Sequence, residues 1–287
     1  MSNLRGLGAL KEGKHLAAQA SRGVFARVRL GRDTLRARLK PFVWDEERFA
    51  TSFAGRRLPE DPDFAPVVPV RRVIWGVWSG DNAMTPNRRR GWAGVRALNP
   101  SLECVLVTPS TLADVERPGF PIHPSYHHLS LAHRSDYLRA YLMHLHGGGY
   151  TDIKPATHDW KPFFDRLDSS DAWAMGYREG GVAWVGDLPR PLADLPRLYH
   201  RLLIGDGAFI MRPHSPITAL WFDELHKRMD YYADDLARFP GHDADRHRRY
   251  PIRWTGILGD ITGGVLLRYH QHLLHEPGLR PQMHDYR

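Results

Sequence analysis

Asp136 and Arg139 stand three residues apart, so on a helix they share one face. The carboxylate accepts hydrogen bonds from hydroxyl groups of the kind a sugar carries. The guanidinium offers a planar fork to an oxyanion. Gly147-Gly148-Gly149 follows, a run that lets the backbone turn sharply and approach a bulky ligand. Tyr150-Thr151-Asp152-Ile153-Lys154-Pro155 then reads as a short extended segment, with Asp152 at its end and a cation two residues further on. On spacing alone the plainer alternative is a surface ion pair, a glycine helix stop and a turn aspartate, because such ion pairs are common and individually weak.

The elements that must position these groups are legible in the pattern. A helix is predicted over 130–146, with Ser130 as N-cap, Gly147 as the stop, and Leu131, Leu138, Leu142 and Leu145 within a narrow arc. Asp136, Arg139 and Met143 fall on another side of it. Upstream, Val73-Ile74-Trp75-Gly76-Val77-Trp78 predicts a buried strand, 86–97 a helix ended by Asn99-Pro100, and 102–107 a second strand. Further strand and helix patterns lie at 208–211 and 215–231, and a last helix at 265–274. Residues 176–206 read as loop-rich and 254–264 as polar and glycine-rich. This β-α-β alternation predicts an α/β fold with a mostly parallel sheet flanked by helices. Ligands then bind beyond the carboxyl ends of the strands.

Charge separates the chain into two parts. Residues 1–40 hold ten basic and two acidic side chains, which accounts for the whole formal net charge of +8. The body is neutral, so a nucleic-acid partner, which needs a basic face on the folded domain, is not expected. The stretch 17–40 reads either as a basic amphipathic helix for an anionic membrane surface or as a solvated tail. Residues 56–70 are proline-rich, so a basic arm and linker are expected over 1–65 and the folded domain over 66–287. Cys104 is the single cysteine, which excludes an intramolecular disulfide and fits a reducing compartment. No apolar stretch approaches the roughly 18 residues of a membrane span, and no secretory h-region is present. A cytoplasmic protein, with peripheral membrane contact through 1–40, is expected.

The segment Ser135-Asp136-Tyr137-Leu138-Arg139 … Gly148-Gly149-Tyr150-Thr151-Asp152-Ile153-Lys154 resembles the sugar-nucleotide-binding region of glycosyltransferase family 32. That family includes mannosyltransferases and capsular polysaccharide sugar transferases. Its region has a Ser-Asp-x-x-Arg helix, a Gly-Gly-x-Tyr turn and an Asp-x-Asp motif. Further matches come in order: Ile74 to Trp78, Trp92 and Asn99-Pro100; Gly207-Ala208-Phe209-Ile210 with His214-Ser215-Pro216; and Thr262-Gly263-Gly264-Val265-Leu266. Together they span about residues 71–270. The resemblance implies a GT-A-type, Rossmann-like fold and a retaining transfer of a sugar from a nucleoside diphosphate to a glycan or lipid-linked acceptor. It implies donor contacts from Asp136, Arg139, Gly148, Gly149 and Tyr150, with Trp75 or Trp78 stacked on the nucleobase. It sets Asp152 at the first acidic position of the metal motif, and Asp206 near the sugar or in a turn.

The sequence departs from the family at Lys154, where the second aspartate would bind Mn²⁺ or Mg²⁺. A protonated lysine cannot ligate a hard cation, which needs oxygen ligands. Three accounts stand: Lys154 itself neutralises the departing diphosphate, Asp152 holds a metal together with a distant carboxylate such as Asp260, or the chain binds sugar nucleotides without transferring them. The seventeen histidines give no zinc pattern, and no glycine run is followed by the Lys-Ser/Thr of a P-loop.

Overall fold

The computed structural model describes residues 35, 39–58, 69–181, 185–186, 188–241 and 249–283. Six strands form one sheet: β1 (Val73–Val77), β2 (Glu103–Val107), β3 (Gly148–Thr151), β4 (Ala174–Arg178), β5 (Ile204–Met211) and β6 (Leu273–His275). Their order is β2-β1-β3-β5-β4-β6. β1 runs parallel to β2 and β3, β6 runs parallel to β4, and β5 is antiparallel to both of its neighbours. The fold is therefore α/β with a mostly parallel mixed sheet, as the sequence predicts. From β1 the chain moves outward to β2 and then returns to β3 on the other side. That reversal opens a crevice at the carboxyl ends of β1 and β3.

Helices cover both faces. Side chains alternate across a strand, so Val73, Trp75 and Val77 enter one core while Ile74 enters the other. The first core lies under α2 (Leu131–Leu145), α4 (Pro216–Tyr231) and α5 (Gly259–Arg268); the second lies under α1 (Pro86–Leu98) and α3 (Lys161–Asp168). α1 begins where Thr85 Oγ1 accepts from Arg88 N–H with Pro86 at the first helical position. α2 begins where Ser130 Oγ accepts from His133 N–H and ends at Gly147, whose φ is +65°.

Three local expectations change. Gly148 and Gly149 are not a turn but the first half of β3. The last helix begins at Gly259, inside the stretch read as polar loop, and 273–275 is the edge strand β6. β5 begins at Ile204, so Asp206 lies within a strand and not in a turn. Residues 41–58 also belong to the packed body, although the boundary was expected at 65/66. Phe42, Phe49 and Ala54 are buried in the larger core, and Arg268 Nη1 donates to the carbonyls of Ala54 and Arg56 at 2.7 Å. The aromatic residues that dock this strap are diluted by charged neighbours of both signs in the sequence. The expected basic helix at 17–40 and the centre of the proline-rich stretch fall outside the described residues. Among the described residues no helix is long and apolar enough to cross a membrane.

Candidate functional site

A cleft of about 570 Å³ opens at the carboxyl ends of β1, β3 and β4, across the first half of β5. That size suits a ligand of several hundred daltons. Asp136, Arg139, Tyr150, Asp152, Lys154, Asp206 and Trp78 all line it. Each reaches the cleft by its own element: α2 carries Asp136 and Arg139, the end of β3 carries Tyr150 to Lys154, and β5 carries Asp206.

Asp152 is the hub. Its backbone N–H donates to Gly207 O at 2.8 Å, which ties the end of β3 to β5. Its Oδ1 accepts from Arg139 Nη2 at 2.8 Å and from the Tyr150 hydroxyl at 3.1 Å. Its Oδ2 accepts from Lys154 Nζ at 2.9 Å. Burial works to raise the Asp152 carboxyl, but Arg139 and Lys154 outweigh it and hold the group below the usual carboxylate range. Arg139 also approaches Asp136 Oδ1 at 3.5 Å, donates to Asp206 O at 3.3 Å, and lies 4.7 Å from the centre of the Tyr150 ring. One guanidinium thus binds α2, β3 and β5 together.

Asp136 and Asp206 behave in the opposite way to Asp152. Burial, only partly opposed by Arg139, pushes Asp136 up to about 7. Burial and then the negative charge of Glu179 push Asp206 up to about 7, although Thr262 Oγ1 donates to its Oδ2 at 3.4 Å. Burial also raises Glu179, whose Oε1 accepts from the N–H groups of Gly180 and Gly181. The charged lining comprises Asp136, Asp152, Glu179 and Asp206 against Arg88, Arg139, Lys154 and Arg280. Formally these balance. Burial disfavours the charged forms of Asp136 and Asp206, which shifts the balance of the lining toward its cations and favours an anion.

Other expected site residues lie elsewhere. Trp75 is sealed in the core at 2% exposure, and its indole N–H donates to Gly147 O at 2.8 Å, so it does not reach a nucleobase. Gly148 and Gly149 are needed for packing and not for ligand approach. A Cβ on Gly148 would lie 2.6 Å from Val73 Cγ1, and one on Gly149 would lie 2.8 Å from Trp160 Cζ3. Asp260 is buried in the first turn of α5, takes an ion pair from Arg253 on Oδ2, and does not line the cleft. It cannot complete a metal site with Asp152. Trp78 remains, half-exposed on the cleft wall and steadied by its N–H to Asn82 O at 2.7 Å.

A divalent cation does not fit the donor set at Asp152. Both carboxylate oxygens already accept from cationic groups, and these would repel an added metal. No group of three or more His, Cys, Asp or Glu suited to a metal occurs among the described residues.

Sequence reasoning missed Arg88, Tyr177, Glu179, Trp254, Arg280 and Met283, all of which line the cleft. The Glu179-Gly180-Gly181 turn was visible as a glycine pair, and Trp254 as an aromatic in a polar stretch. Nothing in the chain marks Arg280. No family model matches the chain, and no curated protein matches it.

Proposed function

We propose that the chain is a glycosyltransferase that moves a sugar from a nucleoside-diphosphate sugar to a glycan or lipid-linked acceptor with retention of configuration. The observation that carries this reading is the Asp136–Arg139–Asp152–Lys154 constellation in a cationic cleft at the strand ends. The family 32 resemblance assigns Asp136 and Arg139 to the donor and Asp152 to the metal motif; Lys154 stands where the family has its second aspartate.

In this reading Trp78 flanks the base, and Asp136 accepts hydrogen bonds from sugar hydroxyls. Lys154 turns from Asp152 toward the diphosphate. As the C1–O bond breaks, its electron pair leaves on the phosphate, and the ammonium stabilises the growing charge. The acceptor hydroxyl attacks C1 from the same face and yields its proton to the departing phosphate oxygen. Charge stabilisation does the work that a metal does elsewhere, and no protein nucleophile is required. Cytoplasmic action beside an anionic membrane, through the basic arm, belongs to the same proposal.

A second reading, a sugar-nucleotide-binding protein without transfer, is favoured by the closed ion pairs on Asp152. Release of nucleoside diphosphate from a panel of UDP- and GDP-sugars, with a glycan and lipid acceptor pool and EDTA, separates the two. Lys154→Ala, compared on protein shown to be folded by circular dichroism because Asp152 loses one of its two cationic partners, is expected to lower that turnover by about 100-fold or more. Donor binding with no turnover by the native chain supports the second reading. Unchanged turnover in Lys154→Ala rejects the assigned role.

A further inference from the structure

We infer that Arg280, on the segment 277–283, is the residue that receives the distal phosphate of a nucleoside diphosphate in the cleft; this rests on the sugar-nucleotide reading above. Four cations line the cleft, and three are already committed. Arg139 is held by Asp152, Asp136 and the Asp206 carbonyl. Lys154 is held by Asp152 Oδ2 and by Met283 Sδ at 3.4 Å. Arg88 Nη1 donates to Ile153 O at 2.6 Å. Arg280 lines the same cleft with its side chain exposed, and its guanidinium has no hydrogen-bond or ion-pair partner among the described residues.

The nearest carboxylate does not take Arg280. Glu179 feels the Arg280 charge, which lowers its pKa against the larger effect of burial, but its Oε1 is turned back onto the Gly180 and Gly181 N–H groups. A Cβ built on Gly180 would lie 3.9 Å from Arg280 Nη2, so the guanidinium spans the open side of that turn.

The segment that carries Arg280 is fixed on both sides. Upstream, Glu276 N–H donates to Gly176 O at 2.9 Å and Leu279 is buried at 1% exposure. Downstream, Gln282 N–H donates to Pro155 O at 2.9 Å, which lays 280–283 alongside the residues that follow Lys154. The backbone at Arg280 is thus fixed before any ligand arrives.

Energetics select it over its neighbours. Recruiting Arg139 breaks a buried ion pair, which leaves a carboxylate without its partner. Recruiting Arg280 breaks nothing and adds a bidentate fork matched to phosphate.

The test is equilibrium dialysis, in EDTA, of GDP, UDP and their monophosphates against the native chain, Arg280→Gln and Arg280→Lys. Arg280→Gln is expected to weaken diphosphate binding by about tenfold or more and to leave monophosphate binding within about twofold. Arg280→Lys restores part of the loss, since it keeps the charge without the fork. Unchanged diphosphate affinity in Arg280→Gln, or equal weakening of both nucleotides, overturns the assignment while leaving the sugar-nucleotide reading in place. If the native chain binds neither diphosphate, that reading fails and the assignment falls with it. The side chain is exposed, so an unchanged thermal midpoint is the expected control.

Discussion

At the scale of single residues, three aspartates within one cleft are shifted in two opposite directions on the pH scale. Asp152 sits between Arg139 and Lys154 and stays ionised well into acid. Asp136 and Asp206 are pushed up to about 7 by burial, and Glu179 adds to the effect on Asp206. A carboxyl whose folded pKa is raised keeps its proton in the native state after the unfolded chain has lost it. Its stabilising contribution is full below about pH 4 and is lost as pH rises through about 7. Asp206→Asn removes this dependence. Denaturant unfolding at pH 5 and pH 8 should show the variant gaining on the native chain at pH 8 by an amount on the order of a few kcal/mol. A constant difference at both pH values counts against the raised Asp206. Ligand binding follows the same logic. A nucleoside diphosphate should bind more tightly at pH 6 than at pH 8, and Asp206→Asn should flatten that slope. Binding that tightens toward pH 8 in the native chain is the opposing result. These assignments were only half legible in the sequence. Asp136, Arg139 and Asp152 were marked by spacing, but the raised Asp206 depends on its burial in the folded cleft and on Glu179, which comes from a different part of the chain.

At the scale of elements, the site owes its shape to places where the backbone comes close. Gly148 adopts φ +99° against Val73, and Gly149 lies under the Trp160 ring. Either glycine changed to Ala is expected to destabilise the fold by about 1–3 kcal/mol through strain and overpacking. Neither change adds or removes a cleft group, so the surviving folded fraction should keep its ligand affinity. An unfolding midpoint that does not move would contradict the packing account. Helices α1 and α2 were readable because their patterns are regular and their ends are punctuated by Asn99-Pro100, Ser130 and Gly147. Helix α5 was not. It is buried nearly all round, so its pattern lacks the polar face that marks a surface helix. Its glycines serve packing: a Cβ on Gly264 would meet Phe53 Cζ at 2.9 Å. Read without the tertiary partner, Gly263-Gly264 looks like a loop.

At the scale of the whole molecule, the neutral body and the basic arm are joined by a docked strap. The Tyr199 hydroxyl donates to Lys40 O at 2.8 Å and Phe42 enters the core, so the arm leaves the body at a fixed point. Around that point, Leu35 and Leu39 before it and Val43 after it recur every fourth residue at 57%, 77% and 73% exposure. Arg36, Arg38 and Lys40 are interspersed with them in the sequence. Apolar and basic groups so combined suit an anionic lipid surface, where each Lys or Arg is worth about 1 kcal/mol. The chain should therefore co-sediment with vesicles containing phosphatidylglycerol. Removal of residues 1–40 and a rise in salt should each reduce the bound fraction. Equal sedimentation with neutral vesicles, or no loss on truncation, argues against membrane attachment. The charge asymmetry was evident from composition. The docking of residues 41–58 was not, because it depends on a complementary surface on α4 and α5.

The central claim is that this cleft holds a sugar nucleotide through cationic side chains in place of a metal. Calorimetric titration of the native chain with UDP- and GDP-sugars, in EDTA and again in Mn²⁺, tests it most directly. Saturable binding of at least one donor, with the same affinity in both buffers, is the result the account predicts. Binding that disappears in EDTA, or no binding of any donor in either buffer, would contradict it.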